Sequence, residues 1–201
     1  AVKQRRFNRD RAQRLARASG QPRRAAGGVT RDAARPTART TTGAWTITML
    51  TIRAYSEDDF PALCAIFLRA VRETASRDYS PAQIAAWAQV DESRWRQKLA
   101  DSQVLVAVID NQPVGFITAV NDYIDLLFVS PDYARRGIGH ALIGAVCASH
   151  PGKVLSVDAS ITARSSFLRQ GFRVVAEQRV ESRGEWFTNY RMEKRGSGKA
   201  E

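Results

Sequence analysis

The sequence predicts an α/β domain in which helices pack around one mixed sheet. Three observations lead there. Apolar runs with strand-like patterning occur seven times between residues 50 and 192. Segments with helical i, i+3, i+4 spacing fall between the first and second, fourth and fifth, and fifth and sixth of these runs. The composition, 44% hydrophobic and 25% charged, suits a chain that buries a core.

Leu50–Ala54 reads as a short strand. Ser56 with Asp59 three residues on resembles a capping box. Phe60, Leu63, Cys64, Phe67 and Val71 then keep one face apolar, so a helix is expected to about Ala75. Ser80-Pro81 with Gln83 opens a second helix, with proline at its first position. Asp91 opens a third through Leu99. Val104–Ile109 is an apolar strand, residues 110–113 a turn, and Val114–Val120 the return strand. Tyr123–Val129 is the next strand, closed by Ser130-Pro131. The turn Gly137-Ile138-Gly139 opens a helix through about Ser149. A strand over 153–159, a short helix over 163–170 ended by Gly171, and a final hairpin around Arg183-Gly184 complete the order.

Charge divides the chain. The net charge is +11, of which residues 1–48 carry +10 from Lys3 and eleven arginines against Asp10 and Asp32. The remainder, residues 49–195 with a flexible end at 196–201, is almost neutral. Residues 1–48 hold few large apolar side chains, too few to offset the entropy of ordering them. They read as a disordered extension that is a nucleic-acid-binding arm, a transit peptide, or a stretch upstream of the natural start, since the first methionine is Met49. Nucleic acid is therefore expected as a partner through this extension only.

The longest aliphatic run, 104–109, has six residues. A membrane helix needs about 20, so no membrane association is expected. Cys64 and Cys147 are far apart in helix-like segments, which predicts no disulfide framework, no metal site, and a reducing, cytoplasmic compartment.

The chemistry concentrates where the strand Leu126-Leu127-Phe128-Val129 runs into Tyr133-Ala134-Arg135-Arg136-Gly137-Ile138-Gly139 and then the helix His140-Ala141-Leu142-Ile143. A helix start presents unpaired N–H groups and partial positive charge. Glycines let a backbone approach a pyrophosphate closely, and Arg135 and Arg136 add charge. The spacing is neither a dinucleotide G-x-G-x-x-G nor a G-K-[ST] phosphate loop.

These residues resemble the GNAT superfamily of acyl-CoA N-acyltransferases. Its pyrophosphate motif, [QR]-x-x-G-x-[GA], aligns with Ala134 to Gly139, with Ala134 in place of Gln or Arg. Its second motif aligns with Leu155-x-Val157, Ala163, Phe167 and Gly171-Phe172. Ser160 stands for the usual Asn and Phe167 for the Tyr that often protonates the leaving thiolate. Residues 65–67, 80–87, 157–160 and 186–189 look most like the bacterial YafP-like branch.

The resemblance implies a mostly antiparallel sheet of about seven strands flanked by helices. It implies acetyl-CoA as co-substrate, held by Leu127, Phe128, Val129, Arg135, Arg136, Gly137, Ile138, Gly139, His140, Ala141, Ser160 and Phe167. It also implies strands that splay between Val129 and Ser156, so that unpaired backbone groups bond the pantetheine arm and an N–H near Leu126 or Leu127 polarises the thioester carbonyl. Direct attack by an amine in a ternary complex is the implied reaction.

Asp125 is the candidate general base, on a strand face shared with Tyr123, Leu127 and Val129 if alternation is regular. Ser160 is the second catalytic candidate, for the cofactor or a mechanistic water, against a capping role. Asp158 faces the cleft with a structural role as its simpler reading, and His140 has helix surface as its simpler reading. Tyr123 and Tyr190 are the phenols nearest to serve as acid. Arg72, Tyr79, Trp87, Trp95, Trp186 and Asn189 are candidates for recognising the acceptor, under a closing 183–186 hairpin. A non-catalytic acyl-CoA binder or sensor, and an acyltransferase carried to nucleic acid by the arginine-rich extension, remain open, as do monomer and homodimer.

Overall fold

The computed structural model describes residues 49–196. The readings of the extension, and of residues 197–201, lie outside the described residues. Gly196, expected in the trailing end, donates its N–H to the Lys153 carbonyl at 2.7 Å, so the ordered domain includes it.

Seven strands form one sheet: β1 (Leu50–Ala54), β2 (Gln103–Ile109), β3 (Gln112–Val120), β4 (Tyr123–Val129), β5 (Val154–Ser160), β6 (Arg173–Ser182) and β7 (Glu185–Arg195), in the order β1-β2-β3-β4-β5-β7-β6. Every neighbouring pair is antiparallel except β4 and β5. Among the described residues five α-helices accompany it: α1 (Phe60–Arg69), α2 (Pro81–Trp87), α3 (Glu92–Ala100), α4 (Ile138–Ser149) and α5 (Ile161–Arg169). None is long and apolar enough to cross a membrane.

Period-two alternation splits the core between two faces. Ala107, Ile109, Ile117 and Ala119 join Leu142, Ile143 and Val146 of α4 and Phe167 of α5. Val106, Val108 and Phe116, one residue out of phase, join Leu63 and Phe67 of α1 and Leu99 of α3. The hairpin turns are two residues long. Asp110 and Asn111 (φ 49° and 62°) and Arg183 and Gly184 (φ 50° and 81°) sit in the left-handed region, as hairpins with matching twist require.

The first predicted helix is segmented. A 3-10 turn (Glu57–Asp59) leads into α1, a π-helical turn (Ala70–Thr74) follows, and a 3-10 turn (Ala75–Arg77) ends it. Such π turns gather at functional sites, and this one borders the cleft described below.

One regularity expected of β4 does not hold. Thr118 pairs with Leu126 while Ala119 pairs with Ile124, so Asp125 is the extra residue of a bulge. The Leu126 N–H is met by the Thr118 Oγ1 at 3.1 Å. The bulge flips the phase. Ile124 therefore shares the α4 side with Leu127 and Val129, and Leu126 and Phe128 share the α1 side.

Candidate active site

Strands β4 and β5 run parallel but are paired only at Tyr123–Ser156 and Ile124–Val157. Beyond Ile124 they diverge. Ser130 gives its N–H to Val114 of β3 at 2.8 Å, and Leu126 also turns its N–H toward β3. Alternation then sends the N–H groups of Leu127 and Val129 into the gap. The expected splay between Val129 and Ser156 is thus the geometry of this sheet.

The gap opens into a cleft of about 780 Å³. One wall is Leu127, Phe128 and Val129. Its end is the loop Arg135–His140, and its far wall is Ser160, Ala163 and Ser166 of β5 and α5. Arg135 (φ 62°) and Gly137 (φ 77°) take left-handed backbone, which turns the loop's amides toward one concavity. The Ala141 N–H is already bonded to the Gly137 carbonyl at 2.9 Å. The amide donors available to an anion therefore come from the loop before Ala141, and Ala141 is not among the cleft's lining residues. A Cβ on Gly139 would have only Val129 Cγ2 near it, at 3.9 Å, so the glycine leaves the loop open on that side. Behind the lining residues Ala70, Thr74 and Tyr133, Arg69 forks to Glu73 (2.8 and 3.1 Å) and to Asp132 (2.7 and 3.0 Å), tying the π turn to the start of the loop.

A second pocket of about 230 Å³ adjoins the cleft, sharing Trp87 and Ser160 with it. Tyr79, Trp87, Val180 and Phe187 make its walls, Asp158 and Asn189 its polar part. Tyr79 spans two elements: its hydroxyl accepts the Ile161 N–H at 2.9 Å and donates to the Thr188 carbonyl at 3.3 Å. Burial pushes its phenol pKa up. The β6–β7 turn closes over the pocket. Arg183 Nη1 donates to the Ala86 carbonyl at 2.8 Å, and Gln83 Nε2 to the Trp186 carbonyl at 2.6 Å.

The sequence-derived candidates distribute as follows. Leu127, Phe128, Val129, Arg135, Gly137, Ile138, Gly139, His140 and Ser160 line the cleft together; Arg136, next to them, stacks its guanidinium 5.0 Å from the Tyr133 ring. Ser160 caps α5, accepting the Ala163 N–H at 3.1 Å, which leaves its hydroxyl proton for another acceptor. Phe167 does not line the cleft. It is 1% exposed and packs edge-on to Phe172 with centroids 5.2 Å apart. The helix starts at Ile161, so its cleft side falls on Ala163, Ser165 and Ser166. Asp125 also lies off the cleft lining, because the bulge turns it to α3, where Lys98 Nζ is 2.7 Å from Oδ2.

Asp158 is enclosed by donors. Arg191 Nε and Gln178 Nε2 (3.0 Å) reach Oδ1, while Arg191 Nη2 (3.1 Å) and the Tyr123 hydroxyl (3.2 Å) reach Oδ2. Burial, then the nearby Asp158 charge, pushes the Tyr123 phenol pKa well up, so it holds its proton. Tyr190 lies under the Arg164 guanidinium at 4.4 Å. Of the acceptor candidates, Tyr79, Trp87 and Asn189 line the pocket. Arg72 lines a neighbouring groove, Trp95 packs on Phe67 in the core, and Trp186 is half-exposed outside. Phe187 and Val180 also wall this pocket; hairpin alternation groups them on one face but leaves open whether that face or the one of Trp186 turns inward.

Residues 75–194 match the family described as Acetyltransferase (GNAT) domain. The chain belongs to that family of acetyltransferases. It is 59% identical over 141 residues to the uncharacterized N-acetyltransferase YafP of Escherichia coli strain K12, covering 70% of this chain and 93% of YafP. It is 29% identical over 138 residues to the peptidyl-lysine N-acetyltransferase YjaB of Salmonella typhimurium strain LT2, covering 68% and 92%. Among solved structures, a GCN5-related N-acetyltransferase from Rhodopseudomonas palustris superposes with TM-score 0.67 at 33% identity, over 72% of this chain and 94% of that one.

Proposed function

We propose that this protein transfers the acetyl group of acetyl-CoA to an amine held in the smaller pocket, by direct attack with both molecules bound. One observation carries this reading: an open sheet seam, with the Leu127 and Val129 N–H groups turned into it, leads from a loop rich in free amides to a second pocket. The loop residues Arg135 to His140 fit a pyrophosphate. The seam fits an extended pantetheine arm bonded as an added strand. The Leu127 N–H, turned into the seam, would donate to the thioester oxygen and favour charge building on it. Trp87 and Ser160, common to both cavities, bring the two reactants to one point, and proximity supplies much of the rate. Phe167 lies in the core and has no proton to give; in this reading the proton shed by the attacking nitrogen serves the departing thiolate. Free Cys64 and Cys147 support a reducing, cytoplasmic setting. The test is thiol release from acetyl-CoA with a panel of amines, with calorimetry of acetyl-CoA alone. Binding without transfer to any amine would leave a CoA binder rather than an enzyme.

A further inference from the structure

Resting on the N-acetyltransferase reading above, we propose that the acceptor is a compact aromatic amine whose nitrogen is uncharged at neutral pH, rather than a lysine side chain or a polyamine. The walls argue for a flat apolar body. The Tyr79, Trp87 and Phe187 rings contact one another with centroids 5.4, 5.8 and 6.3 Å apart. They are thus mutually braced rather than free to rearrange, and they offer a further ring edge and offset contacts. A closed apolar cavity of about 150 Å³ takes a benzene ring. At about 230 Å³ the pocket takes one ring with substituents.

The charges argue for a neutral nitrogen. An alkyl amine is an ammonium at neutral pH, as lysine is with a pKa of about 10.4. It needs a carboxylate to hold it and a base to strip it. The carboxylate of this pocket is Asp158, whose charge is matched by Arg191 and whose oxygens already accept from Arg191, Gln178 and Tyr123. The other charged side chain on the lining is Arg183, a cation at the closing turn. A cation entering here meets a neutralised acid and a like charge, which disfavours the ammonium form. An aromatic amine, its lone pair partly delocalised into the ring, enters uncharged. Asp125, the acid expected to act as base, is paired with Lys98 away from the cleft; an uncharged nucleophile does not need it.

The step balances without an added base. The amine nitrogen forms a bond to the thioester carbonyl carbon, the carbon–sulfur bond breaks, and the proton shed by nitrogen ends on the thiolate. The products are an N-aryl acetamide and free CoA. Arg183 and Asn189 at the rim suit a polar or anionic ring substituent.

The experiment measures kcat/KM of the full chain with acetyl-CoA for aniline, 4-aminobenzoate, phenethylamine, spermidine and a lysine peptide. Phenethylamine separates basicity from ring shape. The two aromatic amines should exceed the three alkyl amines at least tenfold. Phe187→Ala and the bulkier Phe187→Leu should each lower kcat/KM for the aromatic amines at least tenfold, with acetyl-CoA affinity within threefold of the parent. Preference for spermidine, phenethylamine or the peptide overturns the proposed acceptor class and leaves the enzyme reading intact. Transfer to none of the five, with acetyl-CoA bound, overturns both.

Discussion

Lys98 Nζ lies 2.7 Å from Asp125 Oδ2, joining α3 to the bulge of β4. The carboxylate that strand alternation aimed at the cleft is thereby a tie between helix and sheet. Asp125→Asn should keep kcat within about threefold of the parent, where loss of a general base costs about 10²-fold or more. Stability should fall by under about 1 kcal/mol, since Lys98 is 43% exposed and the pair is screened by solvent. Steady-state kinetics and urea unfolding read both quantities. A hundredfold drop in kcat with unchanged stability would return Asp125 to the chemistry.

Gly139 offers a cleaner probe of the anion loop than Gly137. Gly137 needs its left-handed φ of 77°, so any side chain there strains the backbone as well. A Cβ on Gly139 meets nothing closer than 3.9 Å. Gly139→Asp should therefore fold, and its carboxylate should repel a pyrophosphate. Acetyl-CoA affinity is expected to fall more than tenfold, about 1.4 kcal/mol. Calorimetry showing parent-like affinity in the folded variant would move the pyrophosphate elsewhere.

Phe167 is a core residue, and its variants should behave as core variants. Phe167→Tyr puts a hydroxyl into a site only 1% exposed, at a cost of about 1–3 kcal/mol if the group finds no partner. Phe167→Ala should cost about 3–5 kcal/mol through the cavity it leaves beside Phe172. Turnover per folded tyrosine variant should stay within about threefold of the parent. Chemical denaturation with active-site titration separates the two effects. A large gain in turnover would mean that the new phenol reaches the thiolate.

Asp59 gives the fold an acid-sensitive joint. The forked Arg53 guanidinium, at 2.7 and 2.8 Å, and the Ser56 N–H, at 2.9 Å, hold its carboxyl below the usual carboxylate range. The group is more readily protonated when unfolded. Its stabilisation is therefore complete above an unfolded pKa of about 4 and is lost as pH falls through the lower folded value. Asp59→Asn should cost about 1–2 kcal/mol at pH 7, and the difference from the parent should shrink below about pH 4. A gap that stays constant down to pH 2 would deny the pair this role.

The order of elements along the chain and the glycine turn that opens α4 were legible because their signals are local. Glycines at 137 and 139 after an apolar strand, a capping box at Ser80 and a two-residue turn at Arg183-Gly184 each state their conformation within a few residues. The errors lie where a distant partner decides. Nothing near Asp125 says that the Thr118 hydroxyl will take the Leu126 N–H and admit an extra residue. Both Trp186 and Phe187 suit a pocket wall, and only the register of β7 against β6, Val180 opposite Phe187, sends the second one inward. The phase of α5 had the same ambiguity: starting it at Ile161 brings Ser166 to the cleft and Phe167 to the core.

The two residue pairs that join β4 to β5 leave the sheet one strand short along most of that seam. In the proposed function, a pantetheine arm bonded to Leu127 and Val129 would supply the missing ladder and make the substrate a part of the tertiary structure. Folding and substrate supply are then linked by mass action. At a hundred times its Kd, acetyl-CoA should add about 2.7 kcal/mol to unfolding, visible as a melting temperature that climbs with ligand concentration and does so less in Gly139→Asp. When the acetyl-CoA pool of the cell contracts, more of the chain visits open states that proteases cut. The abundance of the enzyme would then follow the supply of the molecule it consumes.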